Sequence, residues 1–194
     1  MMKKRRAFTL VELSIVLIVI GLLTGAILKG QEIIRNAKLK RIISDFSNVS
    51  TAIYTYEDRY DQLPGDDATS VIAASMNSGG DEDGVISPVE SRMVFKHLRK
   101  AGILSGDATE GDLSHALNGK IFVVQGTESG SIVKASVKNM SHMSGTAVCF
   151  DNIKAGDALI LDAQNDDGAF DKGTLQSSDP YKDPDKLVAV CLEV

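Results

Sequence analysis

The chain has 194 residues and a formal net charge of −5 at pH 7. This length suits one membrane segment and one modest globular domain. Residues 1–7 hold four basic side chains and no acidic one, so their removal would change the charge to −9. A chain this acidic argues against general binding to nucleic acid, whose phosphates require patches of Lys and Arg.

An apolar run follows the basic N-terminus, from Phe8 to Leu28. It is 21 residues long, and Glu12 is its only charged residue. A helix of that length measures about 30 Å, the thickness of a bilayer core. The run therefore predicts a transmembrane helix over residues 8–28. Because the basic residues precede it, the positive-inside rule places the N-terminus in the cytoplasm and the residues after Lys29 outside.

Glu12 is the unusual residue of this segment. A carboxylate inside an apolar span costs roughly 2.5–3.5 kcal/mol, and less near the interface. If the chain is cut between Ala7 and Phe8, the new α-amino group of Phe8 in one subunit could neutralise Glu12 of another. The free-energy cost of placing the Glu12 carboxylate in the membrane would then favour pairing between subunits, and so assembly. The alternative is a Glu tolerated near the headgroups.

The N-terminal motif carries a family resemblance. Residues 3–28 read Lys-Lys-Arg-Arg-Ala, then Phe-Thr-Leu-Val-Glu-Leu and the apolar run. This resembles the class III signal of type IV pilins and type II secretion pseudopilins. The resemblance implies that a prepilin peptidase cuts after Ala7 and methylates the Phe8 amine, which makes Glu12 the fifth mature residue, an acid in that family. The residue before the cut is usually Gly in the family, where this chain has Ala7.

A secretory signal peptide is the alternative for the N-terminus. Thr24-Gly25-Ala26 is a weak signal-peptidase site, and the basic residues in front of the apolar run fit a signal peptide. Two observations count against it. Glu12 interrupts the apolar region, and the helical pattern continues beyond the cut.

The helix is predicted to run on as far as Tyr60. No Gly or Pro occurs from Gln31 to Tyr60, and apolar residues recur there at intervals of three and four. This spacing predicts an amphipathic helix over residues 29–62, with a head domain in residues 63–194. The stripe consists of Ile42, Phe46, Val49, Ile53, Tyr56 and Tyr60.

Two glycines in the apolar segment lie one helical turn apart. Gly21 and Gly25 form a small-xxx-small motif, which lets helices approach closely in lipid. The motif is common by chance, but it predicts helix packing between subunits.

Two acidic loops are candidate calcium sites. Asp81, Asp83 and Glu90 have the spacing of ligands in an EF-hand loop. Their carboxylates supply the hard oxygen atoms that Ca²⁺ prefers, and a Gly between them permits the tight turn that such a loop needs. The alternative is that Glu90 closes a capping box with Ser87 at the start of a helix.

The second acidic loop contains Asp166, Asp167 and Asp171. Family resemblance supports calcium there, since a C-terminal acidic loop of pseudopilins can hold this ion. The alternative is a solvated surface turn. The sequence does not decide which of the two loops would bind calcium.

The C-terminal half of the chain is strand-like. Cys149 and Cys191 both lie in the part expected outside the membrane, and in an oxidising periplasm such a pair predicts a disulfide. The alternative is two buried thiols.

We expect an α+β fold of the pilin-like kind, in which one long N-terminal helix packs on an antiparallel sheet of about four strands. The predicted strands are Ile121–Val124, Ile132–Val137, Thr146–Phe150 and Leu187–Leu192, and the apolar residues Ala158–Leu161 are either a strand or a helical turn.

These observations predict a structural subunit of a pilus or pseudopilus filament, and no enzyme. No nucleophile–base or metal–water arrangement is visible in the sequence. The expected partners are copies of itself, other pilins or pseudopilins, a prepilin peptidase, an inner-membrane assembly platform and the lipid bilayer, with no nucleic acid. The expected location is the bacterial inner membrane, and then a periplasmic pseudopilus or a cell-surface pilus.

Several alternatives stay open. The signal is shared by type IV pilins and secretion pseudopilins, and by major and minor subunits. A membrane-anchored periplasmic calcium-binding module would use the acidic loops instead of assembling. A periplasmic enzyme and a minor pilin for DNA uptake are the remaining interpretations.

Overall fold

The computed structural model describes residues 8–76, 80–87, 89–125, 143 and 145–194. Ala7 and the rest of the predicted leader lie outside these residues, as does the predicted strand Ile132–Val137. The chain divides into two compact units between Lys38 and Leu39. The domain limits expected from the sequence, after residues 7, 28 and 62, stay predictions.

Helix α1 runs from Leu10 to Tyr60. In the first unit its apolar side chains are exposed, as far as Leu28. In the second unit the side chains of the predicted stripe turn inward, because apolar residues at intervals of three and four share one helix face. Ile42, Val49, Ile53 and Tyr56 are buried, and Phe46 and Tyr60 are packed against the same core. The amphipathic stripe is therefore confirmed.

Three shorter helices and five strands complete the described structure. The helices are α2 (Val71–Met76), α3 (Ser91–Lys100) and α4 (Ala155–Asn165). The strands are β1 (Leu113–Ser114), β2 (Lys120–Gln125), β3 (Thr146–Lys154), β4 (Leu175–Ser177) and β5 (Leu187–Glu193).

The strands form one antiparallel sheet in the order β1-β2-β3-β5-β4. The expected α+β layout is confirmed, but the strand count of about four is corrected to five described strands. The two strands that the sequence did not predict, β1 and β4, have two and three residues. Such segments are too short to show the alternation of a strand. Ala158–Leu161 proves to be helical, within α4.

The sheet is buried on both faces. Side chains alternate between faces along a strand, so Ile121 and Val123 belong to the core that contains the α1 stripe. Phe122 and Val124 face the other way and join a second buried cluster that includes Met143. The two faces explain why these strands read as continuous apolar runs.

The predicted disulfide joins Cys149 to Cys191. The two residues lie directly opposite each other in β3 and β5, with their Cα atoms 4.0 Å apart. The bridge spans a sequence separation of 42 residues. It therefore fastens the C-terminal strand to the middle of the sheet.

Candidate functional site

Helix α1 begins with a reciprocal cap between Thr9 and Glu12. The Glu12 N–H donates to Thr9 Oγ1 at 3.2 Å, and the Thr9 N–H donates to Glu12 Oε2 at 2.8 Å. The Thr9 hydroxyl also donates to Oε2, at 2.9 Å. This is a capping box, which satisfies two N–H groups at the start of the helix. This role of Glu12 was not predicted, although the Thr-x-x-Glu spacing is the usual sequence sign of a capping box.

The cap holds the Glu12 carboxylate at the N-terminal end of the helix. Its Oε2 atom accepts the amide of the residue that follows Phe8, and the helix dipole favours a negative charge at this end. Among the described residues, no Lys or Arg is ion-paired with Glu12, and Phe8 is exposed. The carboxylate therefore lies close to the position where a mature N-terminus would begin.

Gly21 and Gly25 lie on α1 within the exposed apolar segment. A Cβ atom added at either position would meet nothing within 4 Å in this subunit. The structure of the single chain gives these glycines no packing role, so their contact with a neighbouring helix stays a prediction.

The first acidic cluster consists of Asp66, Asp81 and Glu90. One carboxylate oxygen from each lies within 4.8 Å of the others. Asp66 and Glu90 are buried, whereas Asp81 is exposed. Desolvation, and then the charges of Asp83 and Glu90, raise the pKa of Asp81. The group brings together two of the three predicted ligands and adds Asp66.

Much of this cluster already has a structural task. Asp66 accepts the N–H groups of Glu82 and Gly84, both at 2.8 Å. Glu90 Oε2 accepts the Ser87 N–H at 2.8 Å, and Ser87 Oγ accepts the Glu90 N–H at 3.4 Å. This is the capping box that the sequence offered as the alternative to calcium. Asp83 lies outside the group.

The second acidic cluster consists of Asp162, Asp166 and Asp167, again with oxygens within 4.8 Å of one another. Asp162 is buried and accepts the Tyr181 hydroxyl at 2.7 Å and the Gly168 N–H at 3.0 Å. Burial raises the pKa of Asp162, and the charges of its two neighbours raise it further. Asp171, the third predicted ligand, lies outside this group.

Both clusters offer hard oxygen atoms, which are the ligands that Ca²⁺ prefers. Acidic groups of this kind are also common without an ion. Asp66 and Asp162, which are both buried, were not among the ligands predicted from the sequence. Asp162 and Asp166 are spaced i, i+4 at the end of α4, a spacing that brings side chains together. Calcium binding stays a prediction for both clusters.

Helix α1 is long and apolar enough to cross a membrane, by length and composition alone. A signal sequence near an N-terminus would pass the same test. A comparison with protein families distinguishes between these kinds of N-terminal apolar helix.

A family model described as the prokaryotic N-terminal methylation motif matches residues 2–28. The match includes the predicted cleavage position between Ala7 and Phe8, and Glu12 within the capping box. No curated protein and no solved structure matches the chain. The motif marks the N-terminus as a substrate for prepilin processing, and together with the apolar helix it indicates a membrane anchor. The chain therefore carries the prepilin-type signal of type IV pilins and pseudopilins, at the start of a pilin-like α+β layout.

Proposed function

We propose that this chain is a structural subunit of a pilus or pseudopilus filament, and that it has no catalytic activity. The observation that carries the proposal is the methylation motif at residues 2–28, which includes the start of helix α1 at Leu10. A prepilin peptidase would cut after Ala7 and methylate Phe8. The only chemistry in this account is performed on the chain by that enzyme.

Before assembly, residues 8–28 would anchor the subunit in the bacterial inner membrane. The basic residues 3–6 favour a cytoplasmic N-terminus, which places the head of the protein in the periplasm. An inner-membrane platform would then move subunits from the bilayer into the filament. Gly21 and Gly25, with open space around them, would permit close contact between neighbouring helices.

Glu12 would guide each subunit into place. An amine remains protonated after a single methylation, so the Phe8 amine of one subunit can pair with Glu12 of another. A carboxylate and an ammonium that neutralise each other remove most of the cost of placing either in an apolar environment. The backbone N–H of Thr9, which does not depend on the Thr9 side chain, donates to the carboxylate and holds it in position for this contact.

The test separates the capping role of Glu12 from its charge. Glu12→Gln retains an oxygen that can accept the Thr9 N–H but removes the charge. Filament incorporation should fall by at least about tenfold, because losing one partner of a buried charge pair costs about 2–5 kcal/mol. Thr9→Ala is the matched control, since it removes the hydroxyl from the cap and retains the charge.

The measurement is the ratio of subunit in sheared filaments to subunit in the membrane, with N-terminal cleavage followed in both fractions. Thr9→Ala should incorporate nearly normally, and all variants should insert into the membrane. Normal incorporation of Glu12→Gln would contradict the charge pairing. If the wild-type chain is processed but never leaves the membrane, the filament proposal itself fails.

A further inference from the structure

A basic cleft lies beside helix α3 in an otherwise acidic head. Its volume is about 450 Å³. Three cationic side chains line it, with a single carboxylate among the lining residues. The polar residues that line the cleft are Ser91, Arg92, Lys96, Thr109, Asp112 and Lys120.

The wall of the cleft opposite α3 is held in place by its own contacts. The Arg99 guanidinium donates to the carbonyl of Glu110 and, at 3.1 Å, to the carbonyl of Asp112. Gly111 lies so close to the helix that a Cβ atom there would be 2.6 Å from the Arg92 carbonyl oxygen. The loop from Glu110 to Asp112 is thus fastened against α3, and the cleft is a built feature of the fold.

The charge inside the cleft is only partly neutralised. Lys120 pairs with Asp112 at 2.6 Å, and that contact raises the pKa of Lys120. In the described part of the chain, neither Arg92 nor Lys96 has an ion-pair partner. Arg92 is exposed and Lys96 is half-buried. The cleft therefore presents two cations that are available to an anionic partner.

The surroundings make this cleft exceptional. Residues 39–194 contain 14 Lys and Arg against 24 Asp and Glu, a formal net charge of −10. Helix α3 nevertheless contains Arg92, Lys96, Arg99 and Lys100 with no acidic residue. Two heads of this charge repel each other, so a contact between them is favoured where a cationic surface meets an acidic one.

The same head carries an acidic cleft where α1 ends. Its volume is about 310 Å³, and Glu57, Asp61, Asp66 and Glu82 contribute to its lining. Asp66 is buried and bonded to the backbone, but Asp61 and Glu82 are exposed and Glu57 is half-buried. We define the acidic rim as Glu57, Asp61 and Glu82. Desolvation raises the pKa of Glu57. A cation placed beside Glu57 would favour its charged form and act against that effect.

We propose that the basic cleft of one subunit receives the acidic rim of a second copy of this chain. This inference rests on the proposed function, because it names the surfaces through which neighbouring heads meet. The contact joins two different surfaces, so a chain of copies always retains one unused basic cleft at one end and one unused acidic rim at the other. Contacts of this heterologous type produce open filaments when the rotation between copies does not close a ring.

Nucleic acid is a less suitable occupant of the cleft. Its phosphates would also find cations there, but affinity for nucleic acid depends on neutralising many phosphates. The cleft offers two cations that have no ion-pair partner among the described residues, and the surrounding head has a formal net charge of −10. A second copy instead supplies a short acidic surface, the acidic rim.

Zero-length cross-linking tests the contact on the unaltered chain. Carbodiimide joins a lysine amine to a carboxylate only when the two are in contact. Membranes and filaments are prepared from cells that contain equal amounts of ¹⁴N- and ¹⁵N-labelled subunit. We expect a mixed-isotope link from Lys96 or Lys120 to Glu57, Asp61 or Glu82. The proposal would be overturned if the mixed-isotope links between copies consistently joined other residues, and none joined the basic cleft to the acidic rim.

Charge reversal tests the same contact by function. Arg92→Glu with Lys96→Glu should lower the ratio of filament to membrane subunit by about tenfold or more, because like charges facing each other cost several kcal/mol. Glu57→Lys with Glu82→Lys should have the same effect. A subunit with all four changes should recover assembly, since its reversed cleft meets a reversed rim.

The control is Lys172→Glu with Lys182→Glu, which makes the same change in net charge at two exposed positions elsewhere on the head. It should assemble like the wild type. Every variant is checked for an intact Cys149–Cys191 bridge and for an unchanged melting temperature, so that misfolding is recognised. Wild-type assembly by the cleft variant, or failure of the fourfold variant to recover, would contradict the inference.

The outcomes separate this inference from the proposed function. If wild-type filaments form and the cleft variant assembles normally, the inference fails and the filament proposal stands. If no filament forms but the mixed-isotope link appears in membranes, the contact stands and the filament proposal fails. Binding of a single-stranded oligonucleotide at the cleft, without a link between copies, would also overturn the inference.

Discussion

At the scale of single residues, a buried carboxylate connects α1 to the loop that follows it. Asp67 Oδ2 accepts the Tyr56 hydroxyl at 2.6 Å, and Asp67 Oδ1 accepts the N–H groups of Thr69 and Ser70. Burial alone would raise the pKa of Asp67, but the hydrogen bonds from Ser70 and Tyr56 outweigh it and lower the pKa. The charged form is therefore the one that stabilises the fold.

The sign of the pH dependence follows from that lowered pKa. The stabilisation from Asp67 is complete above the unfolded pKa, about 3.9, and is lost as the pH falls through the lower folded pKa. Tyr56→Phe should lower the free energy of unfolding at pH 7 by about 1.5–3 kcal/mol, which is typical of a hydrogen bond to a charged group. As the pH falls from the unfolded pKa through the lower folded pKa, the difference from the wild type should shrink.

The measurement is urea unfolding of the full chain in detergent at pH 7 and at pH 3. Tyr60→Phe is the control, because Tyr60 packs against Tyr56 at a ring distance of 4.6 Å but makes no hydroxyl hydrogen bond to the described residues. It should have little effect at either pH. An equal loss for Tyr56→Phe at both pH values would show that the charge of Asp67 is not involved.

Residue-scale prediction from the sequence succeeded where the signal is local. The reciprocal hydrogen bonds of Ser87 and Glu90, just before α3, depend on a local spacing. The pairing of Cys149 with Cys191 was predictable from an even cysteine count. Burial of His97, which accepts the Gly65 N–H at 3.1 Å, depends on contacts 32 residues apart. A single sequence does not show such contacts.

At the scale of elements, the long helix was predictable and the sheet edges were not. The apolar residues of the α1 stripe recur over five helical turns. A repeat of this length identifies a helix even where single residues depart from the pattern. Strands β1 and β4 exist because their neighbours offer hydrogen bonds at the sheet edges, and two or three residues carry no period of their own. Likewise, Asp66 meets Asp81 and Glu90 only through the fold, which is why the first acidic cluster was predicted incompletely.

The acidic clusters give a prediction about the loops that carry them. Calcium should raise the melting temperature of the full chain by about 5–10 °C at a hundredfold excess over its dissociation constant. The raised pKa of Asp162 means that its ionisation costs folding stability as the pH rises through that pKa. A bound cation offsets this cost, so the calcium effect should be larger at pH 7 than at pH 4.

The test compares melting in calcium with melting in chelator. Asp162→Asn and Asp66→Asn each remove one charge from one cluster and retain an oxygen acceptor. The variant that abolishes the calcium-induced rise in melting temperature identifies the cluster that binds calcium. The other variant, which should retain that rise, serves as its control. An unchanged melting temperature in calcium and in chelator would remove the calcium prediction for both loops.

At the scale of the whole molecule, the N-terminal signal carries the functional conclusion. The methylation motif, the exposed apolar helix and the capped Glu12 occur together in the first unit, and the disulfide-linked head forms the second. The sequence predicted the methylation signal because that signal is local and specific. The surface charges that we assign to contacts between heads emerge only from the folded chain, since Arg92 and Lys120 lie on different elements.

The most direct measurement is the intact mass and N-terminal sequence of the protein isolated from its native membrane. The account predicts a chain that begins at Phe8 with one added methyl group, despite the Ala7 that precedes the cut. A chain that begins near Ile27, or that retains Met1, would contradict prepilin processing. The filament proposal would then lose the observation that carries it, and a simple anchored or calcium-binding domain would replace it.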